Sequence, residues 1–504
     1  MLGASAGQER WAAALAALAG LLGVGAFAPF EFFWLAWLSW GGLFFLVLTA
    51  SSPRRAAGRG FAFGLAQFLG GVSWVYVSMH DVGGMPWPVA ALATLVLCAY
   101  LSLFPAMVAW GVRRLAILGH GGWRSACLFA SGWVLAEWLR GWLLTGFPWL
   151  ALGYSQSPPS PLAGYAPLLG VYGVSLVTVL VAALGSAAVW QRRAVFLAAA
   201  LALLALGAGL RHLAWTEPVG PSLKVALLQG NIAQDLKWAP ERFLDSLTTY
   251  VALARDNPAD LTVLPETAVP ALYDQLPPEF LADLKALTAR NGGDLLLGVP
   301  VARRAGQEVR YFNSAVSLGA SPEQFYSKSH LVPFGEFVPP GFQWFLDLMH
   351  IPMSDFSSGG PGQKPLALAG QQVAPNICYE DVFGGEIIAS LPQATLLVNL
   401  SNTAWFGHSL AQPQHLQISQ LRALETGRPM LRATNTGMTA VVAPDGRVQA
   451  VLPPFTRGAL VAQVRGYQGL TPFARLGNAG VLVLALVLLL AAGQSALARR
   501  RETQ

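Results

Sequence analysis

Cys378 is the only cysteine between residues 222 and 466, and it sits in the string Pro375-Asn376-Ile377-Cys378-Tyr379-Glu380-Asp381. In an oxidising compartment an unpaired thiol is a liability unless its chemistry is used. The run before it reads as a strand, so a turn at Cys378 would leave the thiol at the mouth of a sheet. A nucleophilic thiol needs a base to form thiolate and donors to hold an oxyanion. Histidine is the usual base, but nothing in the spacing ties His330, His350, His408 or His415 to Cys378. Glu266 fits better. It ends another strand-like run in Leu264-Pro265-Glu266-Thr267, and a desolvated carboxylate can serve as a base near neutrality. Lys328, in the string YSKSHLVPFGEFVP, lies beside an aromatic and apolar stretch where it could donate to an oxyanion, and a second acid, Glu336, follows. Each piece alone has a plainer reading: a buried structural thiol, a helix cap or surface acid, a solvated lysine. Cys98 and Cys127, inside apolar runs, read as packing residues.

The scaffold for these residues alternates strand and helix. Strand-like runs fall at 223–228, 261–264, 294–301, 313–318, 373–378, 395–400, 438–443 and 459–464, with helical patterns at 240–255, 278–291 and 412–425. Such alternation points to a layered α/β domain.

The rest of the chain is a different material. Hydrophobic residues make up 54% of the sequence and charged residues 12%, and the mean hydropathy is +0.48. Apolar segments near 11–27, 33–50, 60–79, 87–111, 124–143, 165–189 and 194–211, and an eighth from 477 to 496, have the roughly 17–25 residues needed to cross about 30 Å of hydrocarbon. The first is not expected to be a cleaved signal peptide, because six more follow it. The formal charge of +6 would suggest nucleic acid in a soluble protein, but residues 214–475 hold 18 basic and 21 acidic residues. The excess is arginine flanking the apolar segments: Arg54, Arg55, Arg59, Arg113, Arg114, Arg124, Arg192, Arg193 and the run Arg499 to Arg501. By the positive-inside rule both termini are expected to be cytoplasmic and the domain between spans seven and eight external. The expected division is a seven-helix bundle over 1–213, a catalytic domain over 222–466, an eighth span over 476–497 and a cytoplasmic tail over 498–504. Within span five, Glu137 and Arg140 are placed to share one helix face.

The ordered strings LLQGNI, LPETAVP, YFNSAV, YSKSHLVPFGEFVP, NICYED, NLSNTAWFG and RALETGRPMLRATNTG resemble the nitrilase, or carbon-nitrogen hydrolase, superfamily, with Glu266, Lys328 and Cys378 as its Glu-Lys-Cys triad. The flanking regions, through EWLRGW and TGFPWLALGYSQ, resemble its membrane-bound branch, the apolipoprotein N-acyltransferases of Gram-negative bacteria. The resemblance implies a polytopic α-helical membrane protein with eight transmembrane helices and an inserted nitrilase-like αββα sandwich, periplasmic, in the inner membrane. It also implies a two-step acyl transfer. Glu266 is the base and Cys378 the nucleophile toward a phospholipid ester, most often the sn-1 chain of phosphatidylethanolamine. Lys328 and the Tyr379 N–H stabilise the oxyanion, and the α-amine of a diacylated apolipoprotein is the final acceptor. Glu336, Tyr379, Glu380 and Asn313 support the site, Trp238 lies near lipid, and neither metal nor nucleotide is needed. The partners are then the phospholipid donor, the lipoprotein acceptor and the bilayer, with no nucleic acid.

Two rival readings remain beside this one: a membrane-tethered nitrilase-like amidase or hydrolase using water as second nucleophile, and a polytopic scaffold whose domain has lost its chemistry. The segment 338–356, with Phe342 and Trp344, is too apolar to stand in water unprotected, and reads as a lid flanked by Gly335, Gly341, Gly359 and Gly360 that dips into the membrane interface. Serine at both Phe342 and Trp344 is therefore expected to slow turnover of vesicle-borne phospholipid. Turnover at the unsubstituted rate would exclude the lid.

Overall fold

The computed structural model describes residues 6–116, 122–233, 240–290, 292–339, 341 and 355–502. Trp238, Phe342 and Trp344, and most of the expected lid, lie outside them. The chain divides into two compact units: Met1–Tyr76 with Trp87–Ala214 and Arg475–Gln504, and Val77–Pro86 with Trp215–Ala474.

The first unit is helical: α1 (Ala6–Val24), α2 (Trp34–Thr49), α3 (Pro53–Val72), α4 (Trp87–Ala116), α5 (Trp123–Arg140), α6 (Ala166–Gln191), α7 (Ala194–Leu210) and the C-terminal helix Ala479–Glu502. Among the described residues, Trp87–Ala116 and Pro161–Gln191 are long and apolar enough to cross a membrane, and Pro53–Val72 with Trp74–Val82, bent by 48°, could form a third such span. Helices Trp34–Thr49 and Ala194–Leu210 and the apolar segment Ala479–Gly493 are shorter. The expectation of eight full-length spans is thus met at two or three positions. An apolar run in sequence need not stay helical throughout, and at ~1.5 Å per residue the 16 residues of α2 reach only about 24 Å.

Helix α3 also begins earlier than the 60–79 span. Pro53 occupies its first turn, and the Ser52 hydroxyl accepts the Arg55 N–H at 3.3 Å. Arg54, Arg55 and Arg59 therefore lie in this helix and not in a loop. Arg59 is only 6% exposed. Its Nη2 donates to both Glu9 carboxylate oxygens at 3.2 and 3.1 Å, and its Nη1 to the Leu46 carbonyl at 2.6 Å. Close backbone contact needs small residues here: a Cβ added at Gly20 would overlap the Phe63 carbonyl, so α1 and α3 touch directly. At the end of α5, Glu137 accepts from Trp133 Nε1 (2.9 Å) and the Leu152 N–H (2.8 Å), while Arg140 donates to the Trp149 carbonyl (2.8 Å). Both residues tie α5 to the loop that follows.

The second unit is the αββα sandwich. One sheet has the order β12-β1-β2-β3-β4-β5 and the other β11-β10-β9-β8-β7-β6. The strands of the first are β1 (Thr216–Gln229), β2 (Leu261–Val263), β3 (Asp294–Ala305), β4 (Glu308–Gly319), β5 (Phe325–Ser327) and β12 (Gly458–Gly469). The second has β6 (Leu366–Leu368), β7 (Gln371–Ile377), β8 (Leu396–Ser401), β9 (Met430–Thr434), β10 (Thr439–Val442) and β11 (Val448–Leu452). Side chains alternate across each strand. Leu223, Val225 and Leu227 of β1 meet Val373, Ile377, Val398, Leu400 and Leu431 between the sheets. On the far faces, Ala226 and Leu228 pack beneath α8 (Pro240–Asp256) and α9 (Pro278–Ala289), and Ala374, Leu397 and Met430 beneath α10 (Ala411–Thr426). Strands β5, β6, β9 and β11 are not among the expected runs. The first two have three residues each, and β9 carries Arg432 in the middle of its apolar pattern.

Leu227 is wholly buried between the sheets. Leu227→Ala is expected to cost about 2–5 kcal/mol, the range for emptying such a site, and to lower the melting temperature of this unit in a thermal scan.

Candidate active site

Three strands deliver the three sequence-predicted residues. Glu266 follows β2, Lys328 follows β5 directly, and Cys378 follows β7 directly, so each leaves a strand at its C-terminal end. Two close approaches make this possible. A Cβ at Gly298 would overlap the Pro265 carbonyl, and the Gly298 carbonyl accepts the Ala268 N–H at 2.9 Å, so a glycine on β3 lets the Glu266 loop lie flat across it. A Cβ at Gly359 would overlap the Ser327 carbonyl, and the Gly359 N–H donates to the Lys328 carbonyl at 2.8 Å. Gly359, expected to flank the lid, also bonds the lysine's backbone.

Lys328 is 1% exposed. Its Nζ lies 2.8 Å from Glu336 Oε2 and 3.4 Å from Glu266 Oε1. Asn313, on β4, bridges the two acids, its Nδ2 donating at 2.7 Å to an oxygen of each. The second oxygen of Glu266 accepts the Asn402 N–H at 2.8 Å, and that of Glu336 the Val332 N–H at 2.8 Å. Burial alone would push the lysine's pKa down, but the Glu336 and Glu266 carboxylates hold it above its ordinary value, so the ammonium is charged. Cys378 is half-buried and interacts electrostatically with both Glu266 and Lys328. Burial and then the Glu266 carboxylate push its thiol pKa up, against the pull of Lys328. At rest the surroundings favour the protonated thiol.

Cys378 has φ +54°, in the left-handed region that L-residues rarely occupy. This conformation ends β7 at Ile377 and opens a 3-10 turn over Cys378–Val382. Glu380, inside the turn, accepts from the Ile377 N–H (2.6 Å), the Ser329 N–H (2.6 Å), the His330 N–H (3.1 Å) and the Tyr326 hydroxyl (2.9 Å). It thereby ties the cysteine turn to the strand and loop that carry Lys328. Tyr379 meets Phe383 edge-on at 5.1 Å, and His330 stacks on Phe383 at 3.6 Å while pairing with Glu386 at 2.9 Å. Two other histidines of the sandwich lie apart from the lysine: His415 contacts Asp381 within the Cys378 turn and His408 stacks on Phe455.

Asn402 escaped the sequence reading, although it lies in the quoted string NLSNTAWFG. Its contribution is a backbone N–H, which residue type cannot advertise. Its side chain accepts from Asn435 Nδ2 at 3.1 Å, which fixes the peptide that meets Glu266.

Comparison with known proteins bears directly on this geometry. Residues 224–471, which contain every residue of the site, match the carbon-nitrogen hydrolase family, and residues 19–184 match the apolipoprotein N-acyltransferase N-terminal domain. The chain is 49% identical over 471 residues to a protein of Nitrosomonas europaea named apolipoprotein N-acyltransferase, covering 90% of this chain and 91% of that one. It is 50% identical to a protein of the same name from Ralstonia nicotianae, covering 91% and 88%. The chain belongs to the apolipoprotein N-acyltransferase family. A relative from Chromobacterium violaceum bearing the same name is 48% identical, with 88% of this chain and 86% of that one covered. In this family member the C-terminal ends of β2, β5 and β7 meet at one point, and the buried lysine lies between two acids.

Burial raises the Glu380 carboxyl from 4.5 to about 7, against the opposing donors. A carboxyl raised on folding adds stability below its unfolded pKa, and this is lost as pH rises through the folded one. The protein is thus expected to lose stability from Glu380 between pH 4.5 and 7. In Glu380→Gln that part of the pH dependence should vanish, read as a flatter plot of melting temperature against pH. An unchanged slope would show that Glu380 does not carry it.

Proposed function

We propose that this chain moves a fatty acyl group from a phospholipid, the sn-1 ester of phosphatidylethanolamine, through a Cys378 thioester to the α-amine of the N-terminal S-diacylglyceryl cysteine of an apolipoprotein. The observation that carries this reading is Cys378 beside a charged Lys328 held between Glu266 and Glu336, in a chain alignable with apolipoprotein N-acyltransferases over about nine-tenths of its length.

Glu266 takes the thiol proton as sulfur attacks the ester carbonyl. A neutral Glu266 competes less for the Lys328 ammonium, so the lysine, with the Tyr379 N–H, can turn to the new oxyanion. Collapse breaks the ester C–O bond, and the leaving lysophospholipid oxygen takes the proton back from Glu266. In the second half the acceptor amine attacks the thioester carbonyl, Glu266 removes a proton from nitrogen, the C–S bond breaks, and that proton returns to sulfur. The atoms balance without any cofactor. Glu336 keeps the lysine charged through both halves, and Asn313 holds the two acids at a fixed spacing. Phe342, Trp344 and Trp238 are assigned to lipid contact from their place in the sequence.

Both substrates are bilayer-bound, which suits a catalytic segment entered and left through apolar helices. On this reading the eight helical segments all lie in the inner membrane, the shorter ones included. Both termini are cytoplasmic, residues 222–466 are periplasmic, and 1–213, 476–497 and 498–504 form the bundle, the eighth span and the tail. A thioester awaiting an amine must be shielded from water, and this separates the transferase from the hydrolase alternative.

Purified protein incubated with phosphatidylethanolamine should gain one acyl mass on Cys378, absent in Cys378→Ala and discharged by a diacylglyceryl-cysteine peptide. Glu266→Gln should slow adduct formation by about 10²–10⁴-fold, the scale of general-base catalysis. Failure to form the adduct, or its decay without the peptide, would overturn the transferase reading.

A further inference from the structure

Cys378 holds a left-handed backbone conformation, with φ +54°, that is unfavourable for an L-residue. Something must keep the turn from relaxing, and the outer face of the second sheet supplies it. Asn376 on β7, Asn399 on β8 and Arg432 on β9 stand side by side in direct register across three parallel strands. Arg432 Nη1 donates to Asn399 Oδ1 at 3.0 Å, and the Ser401 hydroxyl donates to the same oxygen at 2.6 Å. A guanidinium can only donate, so Arg432 dictates which way the Asn399 amide faces. Its Nδ2 is left to donate to Asn376 Oδ1 at 2.7 Å and to the Cys378 carbonyl at 3.1 Å.

The same guanidinium nitrogen lies 3.2 Å from Asp381 Oδ2, within the turn that Cys378 opens. Asp381 is held from α10 by the Ser419 hydroxyl at 2.6 Å and His415 Nε2 at 2.8 Å. Arg432 thus grips the turn at both ends: at Cys378 through Asn399, and at Asp381 directly. All of these side chains are buried. Stability alone is a poor reason for the arrangement, since a buried ion pair is often no better than an apolar replacement of similar volume.

We infer that Arg432 is a positioning residue for the nucleophile, holding the Cys378 turn through Asn399 and Asp381 in the left-handed conformation that sets the thiol against Glu266 and Lys328. This rests on Cys378 being the acylated residue.

The test measures acyl-enzyme formation by mass spectrometry in vesicles of phosphatidylethanolamine, scored per molecule that retains a cooperative thermal melt. Two variants serve. Asn399→Leu removes the relay at similar volume. Arg432→Lys keeps a positive charge, but its shorter side chain withdraws the single nitrogen from the point where Nη1 meets both Asp381 and Asn399. Asn399→Leu should lower the maximal acylation rate by about 10²-fold, the scale of an ångström-sized misplacement, and Arg432→Lys by about 10-fold, with the donor concentration at half-maximal rate unchanged in both. Folded variants that acylate at the unsubstituted rate, or whose loss lies wholly in donor affinity, would overturn the inference. If the unsubstituted protein gains no adduct on Cys378, the parent proposal fails instead.

Discussion

An ammonium taken out of water must be met by negative charge, and Lys328 dictates much of this structure through that requirement. With 1% of its surface exposed it cannot rely on solvent, so two carboxylates converge on it. Two carboxylates at such spacing repel, and they in turn need donors: the Asn313 amide between them, and the Asn402 and Val332 N–H groups behind. Each donor comes from a different part of the chain. The ends of β2, β5 and β8, the middle of β4 and the loop at 332–336 must therefore all reach one point, and Gly298 and Gly359 permit the backbone crossings this entails.

The same charge balance governs the thiol. Burial first, and then two anions facing one cation, make the surroundings of Cys378 favour the protonated sulfur over thiolate. A low resting reactivity is an advantage where an activated thiol would meet water before substrate. On the proposed mechanism, the proton moves when a carboxylate can receive it and a developing oxyanion can claim the lysine. Glu380 belongs to a separate arrangement: saturated by four donor groups, it fastens the cysteine turn to the lysine strand and loop.

Charge is handled in two other ways elsewhere. In the helical unit, Arg59 is neutralised by Glu9, which converts a residue counted toward the net +6 into an interhelical tie. Beneath the second sheet, the row Asn376–Asn399–Arg432 carries hydrogen-bond direction from a fixed cation to a backbone carbonyl. The space between the two sheets is by contrast lined with aliphatic side chains, and it supplies burial without directing polarity.

What the sequence determined alone was the set of candidate residue types, the order of the long strands that precede them, and the split into an apolar and a mixed half. Those follow from local properties: Glu266, Lys328 and Cys378 stand in distinctive strings, and short apolar runs mark strands such as β1 and β8. Strands of three residues gave no periodic signal, and β9 was hidden by Arg432, whose reason for sitting in a strand lies on the neighbouring strand. Of the eight apolar segments, two or three are helices long and apolar enough to span a membrane among the described residues, because composition does not reveal where a helix caps or bends. Tertiary structure alone decided that Asn402 supports Glu266 by its backbone, that Gly359 bonds the lysine's carbonyl, and that a left-handed Cys378 is held from behind. Each of these depends on two segments far apart in the chain coming within hydrogen-bond distance, a relation that no single stretch of sequence contains.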